Sequence, residues 1–213
     1  PMHAVDFPPK MMTADEFLAW TERDPDVRLS LDDGASRPKS DVRFELHAGT
    51  VIAMTPERLI HAEVKAECWL ALRNALRFAE STCRAYIDGM GVRIDDATMF
   101  QPDVLVRCGD ALPPGTREVH DPVIVVEVLS PSTLSKDLGE KLEAYFQLSS
   151  VRHYLVIDPD RRRIVHYQRH IDHESLATRI VAAGPITLHP PGIEIRLEDI
   201  LPPADLGEGD ASR

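Results

Sequence analysis

The chain lacks any long hydrophobic run. Its longest apolar runs are about seven residues, and the strongest of them, Val123–Leu129, is interrupted by Glu127. A membrane-spanning helix needs about 20 apolar residues, and no apolar leader region stands near the N-terminus. We therefore expect a soluble cytoplasmic protein with no membrane partner.

Cysteine is scarce. Cys68, Cys83 and Cys108 are the three cysteines of the chain. Three is an odd number, and their spacing is not that of zinc or redox cysteine pairs. The pattern argues against a disulfide framework and against a thiolate metal site, and a reducing cytoplasm fits it best.

Positive charge is also in short supply, since 24 Lys and Arg stand against 35 Asp and Glu, for a formal net charge of −11. Proteins that bind nucleic acid usually present a basic face, so this balance weakens a nucleic-acid function without excluding it. The arginines Arg161, Arg162 and Arg163 cluster with Arg152 and Arg169. We interpret Arg161 to Arg163 as a solvated hairpin tip, and the alternative is a local basic patch. No Gly-x-Ser-x-Gly motif surrounds Ser130, which argues against serine hydrolase chemistry.

The length of 213 residues and the hydrophobic content of 43% are those of one globular domain. We predict a single domain over residues 1–204 and an acidic disordered tail over residues 205–213. The periodicity predicts a mixed α/β (α+β) fold with an N-terminal helix and a β-hairpin. In chain order the predicted elements are a helix from Thr13, a hairpin within 42–54, a long helix over 58–79, strands within 84–94, 101–107 and 123–129, a helix over 135–148, and strands over 152–157 and 163–168.

Glu127 is the residue that most needs an explanation. An unpaired ionised carboxylate in an apolar interior costs several kcal/mol, so Glu127 requires a cation, a hydrogen-bond network or a raised pKa. Asp103 stands at the start of an equally apolar strand, Val104–Val106. The two carboxylates could hold a hard divalent cation, Mg²⁺ or Mn²⁺, through their oxygens. The alternative is that both cap turns or pair with arginines.

Lys141 is the second unusual residue. It falls inside the apolar stripe formed by Leu142, Tyr145 and Leu148 on the predicted helix, and an ammonium there asks for a carboxylate partner. If the helix packs beside Glu127, Lys141 could reach the same pocket and stabilise negative charge on a phosphate. The alternative is a lysine that extends along the helix edge to water.

Two further polar residues lie on half-buried elements. Glu45 stands between Phe44 and Leu46, and His61 lies on the first turn of the long helix. Either could contact the metal ligands and hold them in position without binding the metal itself. Single glutamates and histidines in such positions are more often satisfied structural groups.

Several segments together resemble the Uma-type endonucleases, a bacterial branch of the PD-(D/E)XK restriction-endonuclease-like superfamily. The resemblance runs in order over roughly residues 11 to 170. Its segments are Phe44-Glu45-Leu46 with Gly49, His61, Pro102-Asp103-Val104, Glu127-Val128-Leu129-Ser130-Pro131-Ser132, Asp137 with Lys141 and Tyr145, and Tyr154-Leu155-Val156-Ile157-Asp158-Pro159.

The resemblance implies a fold and a set of roles. It implies a restriction-endonuclease-like core, a central mixed sheet flanked by helices, and metal-dependent hydrolysis of phosphodiester bonds. Asp103, Glu127 and the backbone carbonyl of Val128 would be metal ligands, and Glu45 an additional acid. The superfamily places a lysine two residues after the glutamate, where this chain has Leu129. Lys141 is then the expected substitute.

The leading hypothesis is a Mg²⁺- or Mn²⁺-dependent endonuclease acting on DNA. The first alternative is a binding or assembly module that keeps the fold without catalysis, which Leu129 and the net charge favour. The second is a metal-dependent hydrolase of small phosphate esters or nucleotides, for which an acidic surface is no obstacle. Homodimerisation is expected because cleavage of two strands favours paired sites.

Overall fold

The computed structural model describes residues 11–23, 43–54, 57–130, 139–170 and 175–201. The predicted tail over 205–213 and the predicted helix start at 135–138 lie outside these residues. The chain divides into two compact units, the first of residues 1–56, 89–101 and 117–120, the second of residues 57–88, 102–116 and 121–213. The prediction of a single domain over 1–204 stays a prediction.

The helices are α1 (Ala14–Arg23), α2 (Leu59–Phe78) and α3 (Glu140–Tyr145), with a final 3₁₀ turn at Leu197–Asp199. The strands are β1 (Phe44–His47), β2 (Thr50–Ala53), β3 (Arg84–Ile87), β4 (Gly91–Asp95), β5 (Thr98–Phe100), β6 (Val104–Arg107), β7 (Glu118–Val119), β8 (Pro122–Val128), β9 (His153–Asp158), β10 (Arg163–Arg169), β11 (Leu176–Val181), β12 (Pro185–Leu188) and β13 (Ile193–Arg196). Helices and strands of mixed orientation confirm the predicted mixed α/β class.

In the first unit, α1 begins at a capping box. The Thr13 backbone N–H donates to Glu16 Oε2 at 2.8 Å, and the Glu16 N–H donates to Thr13 Oγ1 at 3.2 Å. The helix buries Ala14 and Phe17 in a small core with Phe44 and other residues of a five-stranded sheet of order β2-β1-β5-β4-β7. The hairpin between β1 and β2 turns at Ala48 and Gly49, where both φ angles are positive (44° and 82°). Glycine at the second position removes the steric cost of that conformation.

The second unit is a six-stranded sheet of order β11-β10-β9-β8-β6-β3. β8 runs parallel to β9 and antiparallel to β6. α2 covers one face of the sheet, because its apolar residues Val64, Cys68, Leu72 and Leu76 recur at helical spacing and join the main core. The sheet contributes Val104, Val106, Ile124, Val126, Val128, Leu155 and Ile157 to this core.

The alternation along β8 decides which way Glu127 points. Ile124, Val126 and Val128 belong to the core beneath α2. Because successive side chains of a strand point to opposite faces, Glu127 projects to the other face, one residue before the strand ends. Near its C-terminal end, β8 thus presents a carboxylate beside the start of the neighbouring strand β6.

Two sequence expectations need correction. Cys83 and Cys108 form a disulfide, contrary to the expectation of reduced cysteines, whereas Cys68 is free and buried. The register Arg84↔Arg107 between β3 and β6 places the two cysteines opposite each other, a pairing that their separation of 25 residues does not reveal. The strand predicted over 101–107 begins at Val104. The chain leaves one sheet at the end of β5 (Thr98–Phe100) and enters another at the start of β6, so residues 101–103 connect the two.

Within the described ranges, no helix is both long enough and apolar enough to cross a bilayer. Cytoplasmic localisation stays a prediction.

Candidate functional site

The site is centred on the join between β6 and β8. Val104 pairs with Val126, so Asp103 and Glu127 both stand at the same end of this antiparallel ladder. Asp103 Oδ2 accepts a hydrogen bond of 2.7 Å from the Val128 N–H. The Asp103 side chain therefore fixes the last residue of β8, and it does so while 4% exposed.

His61 approaches the same point from α2. Its Nε2 lies 2.8 Å from the Val128 carbonyl oxygen and 3.4 Å from Asp103 Oδ2, and its Nδ1 lies 2.6 Å from Glu57 Oε2. Both ring nitrogens therefore face oxygen acceptors. A doubly protonated imidazolium satisfies all of these acceptors, because it donates from both nitrogens.

Lys65 extends this network by one helical turn. Its Nζ donates to Glu57 Oε1 and Oε2 at 2.8 and 2.7 Å and lies 3.0 Å from Asp88 Oδ2. The lysine is 3% exposed, so the ammonium is removed from water and held by two carboxylates. His61 and Lys65 are four residues apart and so share one face of α2, whereas Glu57 lies just before the helix, which begins at Leu59.

Glu127 has its own partners on the opposite side of the sheet from α2. Lys141 Nζ donates to Glu127 Oε1 at 3.0 Å, and the Tyr145 hydroxyl donates to the same oxygen at 2.8 Å. Lys141 and Tyr145 are four residues apart on α3, so they present both donors from one helix face. This is the carboxylate partner that the sequence required for Lys141.

The pKa values within the cluster follow from these contacts. Burial disfavours the charged form of His61, but the hydrogen bond and charge of Asp103, and then those of Glu57, outweigh burial and raise the pKa of His61. Burial also opposes ionisation of Glu57, but Lys65 and then His61 outweigh it and lower the pKa of the Glu57 carboxyl. Burial, together with the charge of Asp103, raises the pKa of the Cys68 thiol to about 12, which makes this cysteine unreactive.

Glu45 belongs to the first unit, on strand β1. Its Oε2 lies 3.0 Å from His47 Nε2, and its Oε1 accepts a hydrogen bond of 2.9 Å from the Gln101 N–H. Glu45 is 5% exposed, so these contacts offset the cost of its burial. Its role as an additional acid stays a prediction.

The donor set of the second unit fits a divalent cation. One ligand atom each from Glu57, His61 and Asp103 lies within 4.8 Å of the others. Carboxylate oxygens suit Mg²⁺ and Mn²⁺, and the imidazole of His61, which must release a proton before it can bind a metal, shifts the preference toward transition metals. The cluster shares Asp103 with the predicted ligand set, and its His61 contacts the Val128 carbonyl. Glu127 is not a member of the cluster.

Sequence reasoning did not identify Glu57, Lys65 or Asp88. For Lys65 a signal exists, because it stands four residues after His61 on the same predicted helix, and residues four apart share a helix face. For Glu57 none exists, because it precedes that helix. For Asp88 none exists, because its approach to Lys65 depends on how β3 packs beside α2.

The chain belongs to the Uma2 family. The family profile, described as "Putative restriction endonuclease", matches residues 14–204. A protein of Synechocystis sp. (strain ATCC 27184 / PCC 6803 / Kazusa), described as uncharacterized, is 23% identical over 199 residues, which cover 93% of this chain and 95% of the relative.

A solved structure shares the fold. It is the crystal structure of "a putative nuclease belonging to DUF820" from Anabaena variabilis ATCC 29413, with a TM-score of 0.64 and 16% identity, over 89% of this chain and 97% of that one. The comparison confirms that this chain shares its mixed α/β fold with that protein. Membership of the Uma2 family supports a nuclease-type hydrolase that uses a divalent metal.

Proposed function

We propose that this Uma2 protein is a Mg²⁺- or Mn²⁺-dependent endonuclease that hydrolyses phosphodiester bonds of DNA. The observation that carries the proposal is the placement of two buried carboxylates, Asp103 and Glu127, at the same end of adjacent strands. Asp103, Glu127 and the Val128 carbonyl would hold the ion. When bound, a divalent metal polarises the phosphate and makes its bound water more acidic.

The remaining groups of the site have separate tasks in this proposal. Lys141, fixed against Glu127 together with Tyr145, supplies positive charge to the phosphate in place of the lysine that Leu129 replaces. His61 orients the Val128 carbonyl and Asp103, because its Nε2 faces both. Glu45 is proposed as the additional acid. We also propose a homodimer, whose two sites could act on the two strands of a duplex.

The experiment is nicking of supercoiled plasmid at low salt with Mg²⁺ or Mn²⁺. Wild type is compared with Asp103→Asn and Glu127→Gln, and Glu67→Gln, at an exposed position of α2, is the matched control. We expect nicking by wild type and by the control, and a loss of at least a hundredfold in both site variants. Equal nicking by all four proteins would show a contaminating nuclease.

Binding of the metal is measured separately. Mn²⁺ titration followed by electron paramagnetic resonance should show a site that Asp103→Asn weakens and Glu67→Gln does not. Metal binding without plasmid nicking would favour the alternative that this chain keeps the fold as a binding module, and hydrolysis confined to mononucleotides would favour the small-substrate hydrolase. Light scattering coupled to size exclusion tests the dimer.

A further inference from the structure

A row of residues on α2 leads from the candidate site to a cluster of arginines. His61, Lys65, Trp69, Arg73 and Arg77 are each four residues apart, so they form one ridge along the helix. An i+4 ridge turns by about 40° per step around a helix of 3.6 residues per turn. The ridge accordingly emerges from the protein: His61 and Lys65 are buried, Trp69 is half-buried, and Arg73 and Arg77 are exposed.

The edge strand β3 forms the opposite wall. Arg84, Tyr86 and Asp88 alternate along this strand and its end, and Asp88 contacts Lys65 at the site. The Trp69 indole N–H donates to the Ala85 carbonyl at 3.2 Å, which joins helix and strand. Between the two walls lies a cleft of about 280 Å³. We call it the arginine cleft; its principal lining residues are Trp69, Arg73, Arg77, Arg84 and Tyr86.

The cleft is basic in a protein that is acidic as a whole. Among the residues that the structure describes, none of those lining the cleft is acidic. Within the described part of the chain, Arg73, Arg77 and Arg84 form no ion pair with a carboxylate, whereas Arg93 pairs with two carboxylates and Arg107 with one. Three arginines left uncompensated beside one another repel, and an anionic partner removes that repulsion.

Arg73 is also held in place. Its guanidinium lies over the Trp69 ring, 4.9 Å from the ring centroid. Stacking on an aromatic ring reduces the conformational entropy that a phosphate contact would otherwise cost, and it leaves the N–H groups of the guanidinium at its edge available to donate. Tyr86 adds a second half-buried ring to the cleft.

The arginine cluster at positions 161–163, which is evident from the sequence, differs from the arginine cleft because it lies beside a carboxylate. Arg161 and Arg163 lie beside the turn between β9 and β10, and both contact Asp158, at 3.2 and 3.4 Å. Their charge is therefore partly neutralised within the protein, in agreement with their interpretation as a hairpin tip. The arginine cleft becomes visible only when β3 is placed beside α2.

We infer that the arginine cleft binds the phosphodiester backbone of a nucleic acid and leads it to the site at the start of α2. The inference rests on the proposed nuclease function, because it assigns a binding surface to the substrate of that nuclease. From His61 to Arg77 the helix rises about 24 Å, which corresponds to about seven base pairs of duplex. Planar guanidinium groups donate in pairs to phosphate oxygens, and aromatic rings accept unstacked bases.

The test measures binding in EDTA, where metal-dependent cleavage does not occur. The probe is a fluorescein-labelled DNA duplex about three times as long as the seven base pairs of the span, and fluorescence anisotropy is recorded at several salt concentrations. Arg73→Gln/Arg77→Gln is compared with Arg179→Gln/Arg196→Gln, which removes the same charge from exposed positions on β11 and β13. Arg84→Gln tests the opposite wall separately. Circular dichroism checks that each variant is folded.

We expect Arg73→Gln/Arg77→Gln to bind at least tenfold more weakly at low salt. The slope of log K against log salt should fall by roughly two, since each phosphate contact contributes about 0.9 to that slope. Arg84→Gln should weaken binding in the same direction, and the control pair should stay within twofold of wild type.

Three results would overturn the inference: no binding by wild type at low salt, unchanged binding by the Arg73/Arg77 variant, or equal losses in the two double variants. A cleft that binds an acidic protein instead would give the first of these. If the cleft variants weaken binding but Asp103→Asn and wild type nick plasmid equally, the cleft stands and the nuclease function fails. If Asp103→Asn alone abolishes nicking and the cleft variants bind normally, only the cleft fails.

Discussion

Lys141 Nζ lies 3.0 Å from Glu127 Oε1, and the two side chains are 5% and 6% exposed. Both charges are thus removed from water, and the Tyr145 hydroxyl also donates to Glu127 Oε1. Breaking a buried pair by removing one partner is far more harmful than removing both, because the remaining charge stays buried and unpaired.

Lys141→Met should therefore lower the free energy of unfolding by about 3 kcal/mol or more. The double variant Lys141→Met/Glu127→Gln should recover a large part of that loss, although neither variant should be active. Urea denaturation of the two single variants and the double variant gives the coupling energy. Arg58→Met, which removes an exposed ion pair with Asp160, is the control and should change stability by less than about 1 kcal/mol. Additive losses at Lys141 and Glu127 would contradict the prediction.

His61 predicts a pH dependence of stability in the absence of metal. Its pKa is raised above the ordinary value of 6.5 by Asp103 and Glu57, which outweigh burial. The stabilisation is fully present below pH 6.5 and is lost as pH rises through the folded-state pKa. The difference in unfolding free energy between wild type and His61→Gln, measured in EDTA, should shrink as pH increases from about 6 to about 9. A difference that grows over this range would refute the assignment of charge to His61.

The lowered pKa values of His153 and His166 predict the opposite pH dependence of stability. His153 Nδ1 lies 2.9 Å from His166 Nε2 on adjacent strands, and burial lowers the pKa of each to about 4. The folded protein keeps both neutral while the unfolded chain takes up protons below pH 6.5, so stability is lost as pH falls from 6.5 toward 4. At pH 5 one such histidine contributes a loss on the order of 2 kcal/mol.

The comparison for this pair is His153→Leu/His166→Leu, because replacing both hydrogen-bond partners by apolar groups leaves no unsatisfied donor between them. Its unfolding free energy should depend less on pH between 7 and 5 than that of wild type. Titration of the imidazole resonances by NMR checks the pKa values directly. Two histidines that titrate near pH 6.5 in the folded protein would rule out this account.

The Cys83–Cys108 disulfide predicts a redox dependence of stability. A cross-link that closes a loop of 25 residues stabilises by about 3.5 kcal/mol in the chain-entropy account. Cys83→Ser/Cys108→Ser should lower the unfolding free energy by about that amount, and reductant should destabilise wild type but not the variant. Mass spectrometry under non-reducing conditions shows whether the bond is present. Insensitivity of wild type to reductant would count against it.

The fold was largely accessible from local patterns. The capping box at Thr13, the hairpin around Gly49 and the long helix from Leu59 each depend on residues close in sequence, and each is present. Errors arose where pairing between distant strands decides the outcome. The strand at residues 98–100 also pairs with β1, about fifty positions earlier in the chain, and the disulfide depends on the pairing of β3 with β6.

The residues of the candidate site were likewise only partly predictable from the sequence. Glu127 and Lys141 were identifiable because each places a charge where the local period demands an apolar residue, and the structure joins them in one hydrogen bond. Lys65 shares a helix face with His61, but Glu57 precedes the helix, so only packing reveals that Glu57 contacts both of them. Sequence exposes a buried charge more readily than the partner that neutralises it.

The alternation of β8 ties the geometry of the candidate site to folding through a single register. If β8 slipped by one residue against β6, Glu127 would turn toward α2 and meet Val64 and Cys68, while a valine would face Lys141. Both the core and the site would be lost at once. An insertion or deletion within these seven residues is therefore excluded by the fold itself, whatever the activity requires. Variation in this strand is confined to substitutions that keep the order of apolar and acidic positions.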